Sequence, residues 1–453
     1  MQIGFLSIGH EDYVGELSEH LAERASQLLS ALEVDVVSAG TTEVTPSGAA
    51  DAARRLAASD IAGVIVFVST WVEGPVALAA IKEIEHLPFA LWTIPMLDWD
   101  GRRESTGSLC GAAVVKGALD RTNKRFSFIL GLPDPGPGNG KVADELRAFC
   151  IAAGARYRLR HARIGLIGYA SMGMYPGTFD HVLLRDIIGP EVFHFDTYQL
   201  IERARRYSDD ECAGDLAQLK KVVKVNAGAT PRQLSETVKL YKGLKSLVDE
   251  YRLDVVNVKC QYELSKIYGY TQCVPLSWLA DAGTVSTCEG DIPLSVTMLI
   301  LNLLTGQPIY YGDVVDVDSD GLLLSSCGFA PFSLLGGSDS GDPGDLKAEI
   351  QPFKHKGFNG LLTSATLKPG KLTFARLVEG RGDYKIILGV ADGVATPLRQ
   401  GMFPAVGVKL GSGDRMDAFI RNLASQHYAV VYGDILRELE LLAKMLGIEA
   451  IVI

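Results

Sequence analysis

Short apolar runs alternate with amphipathic segments through the first 160 residues, and that alternation narrows the folds open to the chain. Residues 3–8, 34–37, 61–68, 89–94 and 126–130 read as buried strands. Between them, 15–32, 48–58, 76–85, 108–119 and 141–153 carry apolar side chains at helical spacing. Strands that alternate with helices in this way predict a parallel sheet covered by helices on both faces.

A second α/β block opens at residues 163–168, continues at 192–195, turns helix-rich to about Tyr251 and returns to a strand at 254–259. Residues 291–304 predict a helix, with Asp291 as N-cap and Pro293 in the first turn. Beyond Gly306 the pattern changes. Residues 314–317, 322–326, 360–367, 372–378, 385–390 and 428–431 are strand-like, with Asp-Gly or Pro-Gly turns between several, and 433–446 is a closing helix. With 453 residues the chain is too long for one core. The expected fold class is α/β: two Rossmann-like parallel-sheet domains (1–160 and 161–305) followed by a β-rich, barrel-like C-terminal domain (306–453).

Charge and cysteine usage exclude several partners. Lys+Arg 44 against Asp+Glu 54 leaves a net charge of −10, the wrong sign for a phosphate backbone, so no nucleic acid is expected. The most apolar helical stretch, near 294–304, is too short to span a bilayer, and the N-terminus lacks the basic start of a signal peptide. The seven cysteines, at 110, 150, 212, 260, 273, 288 and 327, form no CxxC pair, which fits reduced thiols in a cytoplasmic protein.

Several motifs have a plain reading that outweighs a chemical one. Gly136, Gly138 and Gly140 in PGPGNG do not have dinucleotide-binding spacing and read as a loop. Asp316, Asp318, Asp320 and Gly321 imitate the start of a calcium loop, but its twelfth position is Cys327 where a bidentate Glu is required; a hairpin turn suffices. Histidines 10, 20, 86, 161, 181, 194 and 355 show no ligand spacing. Three other polar residues stand at the ends of apolar elements: Glu289 in STCEGD, Asp313 in YYGD and His427 in SQHYAVVYGD. Alone each reads as a cap, a turn residue or a strand-edge histidine. Together, two carboxylates and an imidazole would make an open site for a hard divalent ion, manganese or magnesium rather than zinc.

Around these three residues the chain resembles the L-fucose isomerase/L-arabinose isomerase family of ketol isomerases. Glu289 and Asp313 stand 24 residues apart, and CEGDIPLSVTMLILNLLTGQPIYYGDVVDV is similar to the Glu–helix–LTG–Asp stretch of fucose isomerase. His427 and the following YAVVYGDILRELELLAKMLGI resemble the family's last metal ligand with its closing strand and helix. The run Ser171-Met172-Gly173-Met174 resembles the family's SMG motif. By the same resemblance Gln261 is a substrate-contacting glutamine, and Trp71 is an aromatic offered to the sugar by a neighbouring subunit. The chain also departs from fucose isomerase. It is shorter in the C-terminal domain, Gln426 stands where asparagine is expected, and residues 411–417, carrying Arg415, replace a loop that bears a tryptophan.

The resemblance implies a Mn2+-dependent aldose–ketose isomerase, with Mg2+ or Co2+ as alternatives. Glu289, Asp313 and His427 would be the ligands, and Glu289 and Asp313 also the acid/base pair for proton transfer through a cis-enediol. It implies a homohexamer acting on a small free sugar. L-Fucose or D-arabinose is the default substrate. A C6-modified, anionic hexose such as sulfoquinovose is the alternative, with Arg415, or Arg102 or Arg103, meeting the anionic tail against a plain surface role. Gln261, Trp71, Gln426 and Arg415 are thus the expected substrate-binding residues. A non-catalytic sugar-binding protein is the reading from another class, and it has no need of the triad.

Overall fold

The computed structural model of the protein describes residues 2–134, 140–336, 348–353, 359–396 and 403–453. Gly136 and Gly138 of the PGPGNG run and His355 lie outside them. The chain divides into two compact units.

The first unit comprises residues 1–158 and 437–447. Its sheet is built from β1 (Gln2–Ile8), β2 (Asp35–Ser38), β3 (Val64–Val68), β4 (Phe89–Thr93) and β7 (Ser127–Leu130), all parallel, in the order β2-β1-β3-β4-β7. Every residue of β3 and β4 is buried, which is why both read as continuous apolar runs without alternation. A small hairpin, β5 (Leu97–Trp99) with β6 (Arg102–Glu104), interrupts the regular alternation. The helix Pro46–Ala57 starts on a Thr45 side-chain cap with proline in its first turn, and it buries Ala49, Ala52, Ala53 and Leu56 in this unit's core.

The second unit comprises residues 159–436 and 448–453. A parallel sheet of β8 (Arg163–Ile167), β9 (Glu191–Phe195), β11 (Val255–Val258) and β12 (Val285–Cys288) runs in the order β12-β11-β8-β9. A three-stranded sheet holds β10 (Val223–Val225), β15 (Ala348–Pro352) and β16 (Leu361–Ser364). The C-terminal strands β13 (Tyr310–Val317), β14 (Gly321–Ser325), β17 (Gly370–Glu379), β18 (Tyr384–Val394), β19 (Ala405–Lys409) and β20 (His427–Tyr432) form a closed six-stranded antiparallel barrel. Closure comes from pairing β17 with β18, and β21 (Glu449–Val452) adds to β18 in parallel. The fold class is therefore α/β, with two parallel sheets and a C-terminal barrel.

Some elements differ from the sequence expectation for physical reasons. β12 escapes a hydrophobicity reading because its centre is Ser286-Thr287, buried but hydrogen-bonded, Thr287 to Ser295 at 2.7 Å. The run expected at 360–367 pairs with β15, outside the barrel. At the Asp316–Gly321 turn, Lys409 Nζ lies 2.7 Å from Asp318 and 2.6 Å from Asp320, so a lysine neutralises the carboxylates that imitate a calcium loop. Among the described residues no helix is long and apolar enough to cross a membrane, and all seven cysteines are free.

Candidate active site

One strand pairing and one strand end position the polar residues. β13 and β20 are antiparallel with Asp313 directly opposite His427, and opposed residues project from the same face of a sheet. Glu289 follows β12 at the carboxyl edge of its parallel sheet, the edge where such sheets bind ligands. The turn there is tight. Glu289 and Gly290 have φ of 73° and 74°, and a Cβ on Gly290 would stand 2.4 Å from the Tyr169 carbonyl oxygen, so only glycine lets the 168–174 segment close over it. Ser171 N donates to Glu289 O at 3.1 Å and fixes that approach.

The three side chains meet at one imidazole nitrogen. His427 Nε2 lies 3.3 Å from Glu289 Oε2 and 3.3 Å from Asp313 Oδ1. It is buried and makes no aligned hydrogen bond among the described residues. Glu289 Oε1 accepts from Gln261 Nε2 at 3.2 Å, and the Cys327 thiol points at the same oxygen from 3.7 Å. Gln261 is in turn held by Ser171, whose Oγ donates to Oε1 at 2.7 Å. Gln426 donates from Nε2 to Met174 Sδ and so ties the loop before His427 to the SMG segment. The His427 ring packs edge-on against Tyr311, which stacks on Phe329.

Behind the imidazole is a buried ion pair. His427 Nδ1 donates to Asp291 Oδ2 at 2.8 Å, and Arg376 Nη1 donates to the same oxygen at 2.8 Å. Asp291 Oδ1 meanwhile caps the helix Ile292–Thr305 by accepting from Leu294 N. Burial opposes ionisation of Asp291, but Arg376 and His427 hold its pKa down at about 2. For His427, burial disfavours the cation, yet the Asp291, Asp313 and Glu289 carboxylates outweigh it and raise the imidazole pKa well above its usual value. The same surplus of negative charge would welcome a dication. Were a dication to displace the Nε2 proton, Asp291 would hold the Nδ1 proton and leave the Nε2 lone pair facing the two carboxylates, as a carboxylate does behind metal-ligating histidines.

The donor set suits a hard divalent ion: two carboxylates and one imidazole nitrogen, the nitrogen left without a partner. Among the described residues no three His, Cys, Asp or Glu side chains already stand around one point fit for an ion. The Asp313 side chain is 34% exposed and marks the open side of the site.

Not every expected residue joins this cluster. Arg415 is committed elsewhere: its guanidinium donates to the main-chain carbonyls of Leu410, Val390 and Ile453, pinning the C-terminal strand. Trp71 lies in the first unit, where its ring forms an edge-on pair with His10 at 5.3 Å and another with Tyr13 at 6.3 Å. Arg102 and Arg103 are exposed on β6 of the same unit, Arg103 within 3.6 Å of Asp98. His181 and His194, read as isolated, in fact face each other with Nε2 atoms 3.1 Å apart.

Asp291, Arg376 and Cys327 are the members that sequence reasoning missed. Asp291 was legible only as a cap. A signal for Arg376 existed: a lone arginine inside the apolar strand LTFARLV must find a buried carboxylate.

No protein-family profile matches the chain. It is similar over most of its length to several curated proteins named sulfoquinovose isomerase. The one from Alkalicoccus urumqiensis is 24% identical over 392 residues, 85% of each chain. That from Clostridium sp. (strain MSTE9) is 25% identical, covering 82% of each, and that from Priestia aryabhattai 23%, covering 78% of this chain and 79% of its own. Among solved structures, a periplasmic solute-binding protein of Actinobacillus succinogenes 130z with bound D-allose aligns at 8% identity over 68% of this chain and 92% of its own. Its TM-score is 0.18, too low to bear on fold or function.

Proposed function

We propose that this chain is a divalent-metal-dependent aldose–ketose isomerase whose substrate is a hexose with an anionic group at C6, of the sulfoquinovose type. The observation that carries the reading is the meeting of Glu289 and Asp313 at the unpartnered Nε2 of His427. The substrate class rests on the relatives' names, which favour the sulfonated alternative over the L-fucose or D-arabinose default.

The reaction moves the C2 proton of the open-chain aldose to C1 and a hydroxyl proton from O2 to O1, through a cis-enediol. A divalent ion held by Glu289, Asp313 and His427, manganese by the donor chemistry, would supply Lewis acidity toward the two adjacent sugar oxygens. Glu289 and Asp313 form the acid/base pair that takes the proton and returns it. Gln261 donates to Glu289 Oε1 and so turns the other oxygen of that carboxylate, Oε2, toward His427. Asp291 and Arg376 keep the Nδ1 proton in place and the ring fixed. Cys327 and the Tyr311 ring narrow the site on the barrel side.

The test is to incubate the purified protein with Mn2+ and sulfoquinovose in D2O. Wild-type protein is expected to yield the ketose with deuterium from solvent at C1, read by NMR. Glu289→Gln should fold, shown by its circular dichroism, and neither isomerise nor exchange. Ketose formation by that variant at a wild-type rate would sink the assignment.

A further inference from the structure

Directly after Gln261 the backbone does something costly. Tyr262 has φ 75° and ψ −79°, and Glu263 N donates back to Gln261 O at 3.2 Å, which makes Tyr262 the centre of a positive-φ γ-turn. Residues Glu263–Tyr268 then form a π-helix, closed by Gly269 at φ 94°. Both are rare conformations for non-glycine chain, and strain of this kind persists where a site requires it.

The strained segment presents an aromatic ring flanked by two lysines. Tyr262 is 45% exposed, and two ammonium groups lie over its ring, Lys266 Nζ at 5.1 Å and Lys259 Nζ at 5.9 Å from the centroid. Lys259 is partly neutralised, with Nζ 2.9 Å from Glu263 Oε2. Lys266 is exposed and makes no ion pair among the described residues. The group therefore carries one positive charge in excess. It is joined to the reacting end of the site through Gln261, which touches Glu289. For this group to meet the substituent, a sugar with C1 and C2 at Glu289 and Asp313 must extend its far end along the Gln261-Tyr262 segment.

We propose that Lys266, with Tyr262 and Lys259, is the subsite for the anionic C6 substituent, a sulfonate. The inference rests on the isomerase reading above. A sulfonate carries a single charge spread over three acceptor oxygens, which matches one unpaired ammonium backed by a phenol and a second, half-neutralised lysine. It gives the γ-turn at Tyr262 a purpose, since an unstrained turn would aim the ring and the lysines elsewhere. The anion contact falls to this segment of the second unit, whereas Arg415 is spent on main-chain carbonyls.

The experiment compares sulfoquinovose, its neutral counterpart 6-deoxy-D-glucose and glucose 6-phosphate as substrates for wild type, Lys266→Met and Lys266→Arg, with direct binding followed by calorimetry. Wild type is expected to prefer the sulfonate. Lys266→Met should lower the sulfonate-over-neutral ratio of kcat/KM by about tenfold to a hundredfold, the worth of one hydrogen bond to a charged group, with the loss in KM and not in kcat. Lys266→Arg should restore most of it. A selective wild type whose selectivity survives Lys266→Met overturns this subsite and leaves the isomerase reading standing. Preference for the 6-phosphate overturns the sulfonate assignment. A wild type that neither binds nor converts any of the three overturns the isomerase reading together with the subsite.

Discussion

Asp291→Asn tests the buried pair behind His427. Asparagine keeps an oxygen that can cap Leu294 N, so the helix start loses little. What disappears is the charge facing Arg376 Nη1 and His427 Nδ1, both at 2.8 Å. Arg376 is 1% exposed, and among the described residues its other side-chain hydrogen bond goes to the Pro176 carbonyl. An uncompensated guanidinium at such depth costs about 3–5 kcal/mol, which lowers the melting temperature on the order of 10 °C for a unit of this size. The asparagine amide would also donate to His427 Nδ1 and move the ring proton to Nε2, which costs about 10–100-fold in metal affinity. Thermal melts followed by circular dichroism read the first effect, and Mn2+ titration by electron paramagnetic resonance reads the second. In the double variant Asp291→Asn/Arg376→Met the stranded charge is gone, so stability should recover in part while Mn2+ affinity stays low. A single variant that melts within about 2 °C of wild type would refute the burial argument. One that loses stability but binds Mn2+ normally would show that Asp291 does not orient the ligand.

Three further outcomes follow from the same geometry. Exhaustive chelation with EDTA should abolish ketose formation and added Mn2+ restore it, and turnover that survives chelation contradicts a metal-dependent site. Arg415→Met removes the guanidinium bonds to Leu410, Val390 and Ile453 and should cost about 2–4 kcal/mol in urea melts, with the KM for sulfoquinovose within about twofold of wild type; a large rise in KM would return this arginine to the substrate. If Trp71 completes the site of a second copy, the purified protein sediments as an oligomer and a fully active monomer is not found.

The layering of this fold was legible because it depends on local periodicity. β3 and β4 are continuous apolar runs because both faces of their sheet are covered, and the helix Pro46–Ala57 before β3 declares itself through its Thr45 cap and its spacing. Register was not legible. Asp313 and His427 face each other only because β13 and β20 pair as they do in a barrel that closes through β17 and β18, and a slip by one residue would turn both side chains away. Glu289 was visible as a carboxylate before a capped helix, yet the strand that aims it, β12, hides behind two polar residues at its centre. Arg415, expected from the resemblance as a substrate contact against a plain surface role, has several donors and collects main-chain carbonyls at a chain end, a use that no local pattern announces.

Arg376 shows how far burial logic alone carries. An arginine in the middle of LTFARLV cannot stay buried without a carboxylate, and in this chain the partner is the residue that caps the helix following Glu289. That one carboxylate fastens a barrel strand to the start of the helix and then offers the same oxygen to the imidazole on the neighbouring strand β20. The imidazole's other nitrogen is thereby directed at Glu289 and Asp313. The attachment of β17 to that helix and the orientation of the imidazole thus share one aspartate. A change at Asp291 should therefore act on stability and on metal affinity together, whereas a change at Lys266, on the exposed rim, should act on substrate choice without disturbing either.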